Sequence, residues 1–333
     1  MCAAMLALCA GAGMAATLDE IKARGVINCG VPPHGVVGFS AEDSWGRREG
    51  MNSSLCNAVA AAVFRDPYAV EFVPLLPKNG LIALQSGEVD LLAPSASWVM
   101  PEQPLAGVTF PVTTFFDVQG FLVPADMGAS NVVEFGEFPT ICVLEDSASE
   151  TNLAQFYASI NTTYEPVPTS TAPEMEQQYF AGACDIASAP LSYLAALRLK
   201  ARNPAGHMIF PDTIAQTNFG PVVRQGDEQW QNIVKWTHYI MLRGEELGVD
   251  LNNYWGLRMG SDNPAIQTLL GASGNLGAGL GLDSTFGADV IGWVGNYGEI
   301  FEGNVGANTA FGMSRGDNAL VSNGGRQQAP PLP

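Results

Sequence analysis

The sequence predicts an α/β fold in two lobes, each a mixed, mostly parallel sheet flanked by helices. Short β-branched runs alternate with helical runs at a spacing that requires parallel pairing through crossovers. The alternation occurs in two series, one before residue 93 and one between residues 140 and 200. Two extended segments, near 115–123 and 217–224, bracket the second series, which is how one domain sits inserted in another. The size agrees. The chain has 333 residues, 47% of them hydrophobic, enough for two cores at about 150 residues per domain.

In order, Gly25–Val31 is a β-branched strand closed by Pro32 and Pro33. Leu55–Val63 carries apolar residues at helical spacing, with Asn52, Ser53 and Ser54 as its expected caps. Val70–Leu76 is a second strand, Leu81–Ser86 a short helix stopped by Gly87, and Val89–Leu92 a third strand. The long β-prone run Phe115–Val123 opens the inserted series. Thr140–Leu144, Tyr164–Val167 and Asp185–Ser188 are its strands. Glu150–Ser159, Ala172–Ala181 and Leu191–Lys200 are its helices, and Thr217–Arg224 is extended again. Trp230, Ile233, Val234, Thr237, Ile240 and Met241 then share one face of an amphipathic helix over 227–247. Beyond Gly256 the chain breaks into glycine-rich helix and turn pieces, and Gln327–Pro333 reads as a frayed tail. The expected boundaries are 1–16 for a leader, 17–117 with 221–333 for lobe one and its C-terminal extension, and 118–220 for lobe two. A ligand between the lobes, with domain closure over it, follows from that layout.

Charge and cysteines narrow the setting. Fifteen Lys and Arg against 33 Asp and Glu give a formal charge of −18. Nucleic acids and anionic membranes need a basic face, so neither is an expected partner. Met1–Ala16 is apolar, uncharged and rich in small residues. It falls short of the roughly 20 residues of a membrane-spanning helix and suits the core and cleavage site of a secretory signal peptide. The missing basic start implies an upstream start or a trimmed sequence. A lipid anchor at Cys9 competes with that reading, but Leu8 is bulky where a small residue should precede the cysteine. No later stretch is apolar for long enough to cross a membrane, so the expectation is an exported protein with no stable membrane insertion. Setting aside Cys2 and Cys9 leaves Cys29, Cys56, Cys142 and Cys184, which allow three pairings. They form no C-x-x-C and no Cys/His cluster, so no metal, cofactor or redox motif is expected. A spread, even set behind a signal peptide reads as structural disulfides, with buried free thiols as the alternative.

At this point the residues carry a resemblance. Gln85–Leu91, Gly220–Asp227, Glu245–Val249 and especially Val294–Glu302 (VGNYGEIFE) resemble the general L-amino-acid-binding periplasmic proteins of ABC importers, within the polar-amino-acid solute-binding family. The likeness runs from about Thr17 to Gly325. It implies a type II periplasmic-binding-protein fold, a periplasmic location after signal-peptide removal, a small polar solute between the lobes and the importer's membrane subunits as partners. It also implies the pairs Cys29–Cys56 and Cys142–Cys184. In the family an Arg after the third strand grips the ligand carboxylate and an Asp after the fifth grips the ammonium. Here those positions hold Glu102 and Pro190, and two further Arg positions hold Gly80 and Pro94. The glycine of a lobe-two anion-binding loop is replaced by Asp146. A carboxylate docking as in the family would meet Glu102, an exchange of attraction for repulsion that costs several kcal/mol at an effective dielectric near 20.

The candidate ligand-binding residues that remain are Phe39, Ser95, Ser97, Trp98, Glu102, Ser147 and Ser149. Trp98 either walls off the ligand or fixes its loop as a core aromatic. Ser95 and Ser97 are either ligand donors or turn residues. Glu102 either selects a cationic or neutral solute or sits solvated at a helix start beside Pro101. Ser147 and Ser149, ahead of Glu150, look first like a capping arrangement. Arg47 and Arg48 either face the cleft mouth or are simply solvated. His34, His207 and His238 form no catalytic motif, and the spaced glycines Gly271–Gly277 follow no strand. The expectation is therefore a binding protein for an amino-acid-like or cationic solute, not an enzyme. Two alternatives stand beside it. One is a paralogue that keeps the scaffold and serves as a structural or regulatory envelope protein. The other is a dehydratase-like enzyme with Glu102 as its acid–base group.

Overall fold

In the computed structural model, residues 17–33, 35–93, 107–136 and 138–332 are described. The expected leader 1–16 and the stretch 94–106 lie outside them. Strand β1 (Ile27–Val31) is followed by a small hairpin, β2 (Ala41–Glu42) with β3 (Arg48–Glu49), and by the helix Met51–Phe64. β4 (Val70–Pro74), the helix Pro77–Ser86 and β5 (Leu91–Leu92) complete this first unit. β1 lies between β4 and β5 and is parallel to both, as two helical crossovers require.

The helix Met51–Phe64 starts earlier than its sequence suggests. Asn52 and Ser53 are buried in its first turn and do not act as caps. The first-turn N–H groups of Met51, Asn52 and Ser53 instead donate to the carbonyls of Gly38 and Phe39. Gly50 makes this possible: at φ 124° a Cβ there would lie 2.3 Å from the Phe39 carbonyl carbon. The backbone of residues 38–39 thus does the capping that a polar side chain normally does. The Cys29–Cys56 disulfide ties β1 to this helix.

After β6 (Val108–Thr109) the chain enters the long strand β7 (Phe115–Pro124). β8 (Thr140–Leu144), β9 (Glu165–Thr169) and β10 (Ile186–Pro190) follow, separated by the helices Ala148–Ser159 and Ala172–Phe180. Then come the helix Leu191–Leu199, β11 (His207–Ile209), β12 (Ala215–Phe219) and β13 (Val223–Arg224). The second sheet has the order β11-β7-β10-β8-β9, with β12 also on β7. β8 is parallel to β9 and β10, while β7 is antiparallel to β10, β11 and β12. Cys142–Cys184 closes a loop within this unit. The pairing of β13 with β6 and a bridge from Leu92 to Val222 return the chain to the first unit.

The helix Glu228–Glu246 buries Trp230, Ile233, Val234, Thr237, Ile240 and Met241, the predicted face. Its first turn is capped by Asp227, which accepts from Trp230 N. Four further helices, among them Phe286–Val294 and Tyr297–Asn304, add Phe286, Ile291 and Phe301 to the core that covers the first sheet. Asn296 and Glu299 form a reciprocal capping box at the head of Tyr297–Asn304.

The expectation of a frayed tail is overturned. Gln327 and Ala329 are buried, and Gln327 Nε2 donates to the Thr114 carbonyl (3.1 Å) and to the Tyr297 hydroxyl (3.2 Å). Asn318 clasps the Phe116 peptide, accepting from its N–H at 2.7 Å and donating to its C=O at 2.8 Å. Composition alone suggested disorder, but two long-range amide clamps hold the segment against the start of β7.

Candidate functional site

A cavity of about 320 Å³ lies between the two units. Its floor is one face of the paired strands β7 and β12. Phe115, Asp117 and Gln119 share that face by the two-residue strand period, and their cross-strand partners are Phe219, Thr217 and Ala215. Of these, Thr217 and Phe219 line the cavity, and Phe219 stacks on Phe115 at 6.3 Å.

Val36, Phe39 and Asn52 form the wall from the first unit. Phe39 is buried edge-on against Phe115 at 5.2 Å and is held from behind by Phe311 at 6.3 Å. The close approach at Gly50 fixes its backbone.

Helix starts form the opposite wall. Ser147, Ala148 and Ser149 come from the first turn of Ala148–Ser159, Ala172 from that of Ala172–Phe180, and Pro190 and Ser192 from that of Leu191–Leu199. Helix N-termini carry partial positive charge and unpaired N–H groups. Ser147 spends its hydroxyl on capping: it accepts from Glu150 N at 3.2 Å and donates to the Leu144 carbonyl at 2.5 Å. Ser149 offers its carbonyl to Gln119 Nε2 at 2.9 Å, and its hydroxyl enters no hydrogen bond among the described residues. Gln119 is fully engaged, donating also to Ser188 Oγ at 3.1 Å and accepting from Asn152 at 3.0 Å.

The positions singled out by the resemblance now have places. Asp146 has φ 54°, the left-handed conformation that glycine favours, and its N–H donates to the Glu150 carboxylate at 2.9 Å. The chain's own carboxylate thus occupies that loop. Pro190 lines the cavity without a charge, and Gly80 faces Leu92 and is not part of the lining. Arg48 is turned inward onto the carbonyls of Pro32, Pro33 and Ser40, and Arg47 pairs with Asp43 at 2.8 Å. Ser95, Ser97, Trp98, Glu102 and Pro94 lie outside the described residues. Among the described residues, no charged side chain lines the cavity.

Sequence reasoning missed Asn52, Ser188, Ser192, Thr217 and Phe219 in the lining and Asp117 beneath it. The signal was available in part: applying the two-residue period to the extended segments 115–123 and 217–224 groups Asp117, Gln119, Thr217 and Phe219. Asp117 is 3% exposed. It accepts from Val118 N at 2.8 Å and Ser192 N at 3.2 Å, and from the Ser192 hydroxyl. Burial still dominates and pushes its carboxyl up to about 6. Thr217 is 4% exposed, and its hydroxyl has no hydrogen-bond partner among the described residues.

No family model matches the chain. Over 329 residues it is 41% identical to the glutamate/glutamine/aspartate/asparagine-binding protein BztA of Rhodobacter capsulatus, covering 99% of this chain and 97% of that protein. It is 40% identical over 332 residues to the general L-amino acid-binding periplasmic protein AapJ of Rhizobium johnstonii, covering 99% and 96%. Among solved structures, an ABC transporter/periplasmic binding protein from Brucella ovis with glutathione bound matches with a TM-score of 0.90 at 37% identity, covering 96% of this chain and 99% of that one. Identity of this extent across nearly the whole length, on the same two-sheet architecture, establishes that the chain belongs to the amino-acid-binding periplasmic proteins of ABC transporters.

Proposed function

We propose that the protein binds a zwitterionic, amino-acid-like or short peptide-like solute in this cavity and delivers it to the membrane subunits of an ABC importer. The observation that carries the reading is the cavity's composition. Three helix starts and the hydroxyls of Ser149, Ser192 and Thr217 border it among mainly apolar side chains, so a carboxylate can be met by helix dipoles where the family uses an Arg. Its volume of about 320 Å³ also lies at the lower end of the roughly 300–1,000 Å³ typical of small-molecule sites. The glutathione in the Brucella ovis protein and the acidic and amide amino acids in the name of BztA support the same solute class.

The lobes in this reading are residues 17–117 with 221–333 and residues 118–220, hinged through β7 and β12. Phe39, Ser147 and Ser149 contact the ligand from the two sides. Ser95, Ser97, Trp98 and Glu102, which lie outside the described residues, stay ligand-binding candidates on the sequence resemblance alone. The protein acts by binding and release without turnover, in the periplasm, after removal of residues 1–16.

Thermal unfolding against reduced glutathione, glutamate, glutamine, arginine and putrescine tests the reading. A ligand at a hundred times its Kd adds about 2.7 kcal/mol of stability, so at least one zwitterion is expected to raise Tm by several degrees. A folded protein that responds only to putrescine, or to none of the panel, sinks it.

A further inference from the structure

We propose that Thr217, with Ser192 and Asp117 behind it, forms the subsite that takes the ligand's ammonium group. The inference deepens the reading above and rests on the solute being a zwitterion. Thr217 and Asp117 are directly opposed in the β12–β7 ladder, so their side chains lie on the same face of the sheet. Thr217 reaches the cavity, and its hydroxyl is buried without a partner among the described residues. A buried, unpaired hydroxyl is unfavourable in the empty protein, and a ligand donor would satisfy it.

The charge at this place has the matching sign. No cationic side chain pairs with the Asp117 carboxylate among the described residues; backbone N–H groups and the Ser192 hydroxyl hold it. Ser192, whose backbone N–H is bound to Asp117, also lines the cavity, where its hydroxyl can accept from a ligand donor. Two hydroxyl acceptors next to an uncompensated buried carboxylate suit an ammonium group and repel a carboxylate. The position that the resemblance reserves for an acidic residue is Pro190, which caps the same helix that Asp117 holds. Ammonium recognition has therefore moved from the end of β10 to the strands that link the lobes.

Titration calorimetry with reduced glutathione and with N-acetylglutathione, which lacks the ammonium charge, tests the assignment on the wild type, Thr217→Val and Asp117→Asn. Each substitution is expected to weaken glutathione about tenfold or more while leaving the N-acetyl peptide within about twofold. Equal losses for the two peptides, or no loss, would overturn it. Thr217→Val is isosteric and removes a hydroxyl without a hydrogen-bond partner among the described residues, so it decides alone should Asp117→Asn fail to fold. If the wild type takes up neither peptide, the solute class above is wrong, and methylammonium chloride then decides the subsite. A saturable shift of the Thr217 methyl resonance, absent with sodium chloride at equal ionic strength, sustains the assignment. No such shift refutes it.

Discussion

Two buried titratable residues oppose each other in their effect on stability. His238 is fully enclosed between Tyr297, at 5.4 Å, and Gln327, and burial holds its imidazolium down to about 4. Its pKa is lower folded than unfolded, so the folded state binds fewer protons between pH 6.5 and 4, and His238 destabilises the protein as pH falls through that window. Asp117, raised from 3.8 to about 6, has the opposite sign. Its contribution is fully present below pH 3.8 and is lost as pH rises through 6. Each shift corresponds to on the order of 3 kcal/mol, so the two slopes largely cancel between pH 4 and 6. His238→Asn is expected to gain stability on acidification from pH 6.5 to 4.5, and Asp117→Asn to lose it more steeply than the wild type. Urea denaturation at the two pH values measures both. Slopes of the same sign in the two variants would contradict the assignment.

At the scale of elements, the structure depends on places where backbone takes the role of side chain. The helix Met51–Phe64 is capped by the Gly38 and Phe39 carbonyls, which approach closely because Gly50 has no Cβ. Gly50→Ala forces that contact apart and demands an unfavourable φ, so it should cost more than about 1 kcal/mol. Because Phe39 is a cavity wall, ligand affinity should fall with it; a Tm loss with unchanged affinity would show that the wall does not depend on the cap. The tail offers a parallel case. Gln327→Ala strips a donor from the Thr114 carbonyl and the Tyr297 hydroxyl. A loss of about 1–3 kcal/mol is expected, with faster cleavage by carboxypeptidase; resistance equal to that of the wild type would restore the frayed-tail picture.

These two elements also mark how far the sequence could be read. The βα alternation and the apolar face of Trp230, Ile233, Val234 and Ile240 are local periodicities, and the strands and helices form in that order, with shifted starts at Met51, Pro77 and Leu91. The cap at Gly50 rests on carbonyls about a dozen residues back across a hairpin, and the clamp at Gln327 on partners 30 and 213 residues away, which no local periodicity carries. The site divides in the same manner. Phe39, Ser147 and Ser149 came from the family resemblance, and the structure places all three in the cavity lining. Thr217 and Asp117 become neighbours only when β7 and β12 pair, and their hundred-residue separation hides that.

On the scale of the whole molecule, the covalent and noncovalent ties are arranged differently. Each disulfide lies within one unit, Cys29–Cys56 in the first and Cys142–Cys184 in the second. Between the units run the β7–β12 strands, the packing of Ala195 and Ala196 into the first unit's core, and the bond from Arg198 to the Phe311 carbonyl at 3.0 Å. Closing a 42-residue loop contributes about 4 kcal/mol in the chain-entropy model, against about 1–3 kcal/mol for a charged hydrogen bond across the units. Replacing both Cys142 and Cys184 by Ala should therefore lower the second unit below the first faster than the contacts between them can compensate. Differential scanning calorimetry is expected to split a single transition into two. In the proposed site the ligand meets cavity walls from both units, so a saturating zwitterion from the panel should bring the two transitions back together, because such a site exists only when both are folded. If the separated transitions respond independently, with only the second rising, the solute is held by one unit alone and closure between two lobes is not how this protein binds.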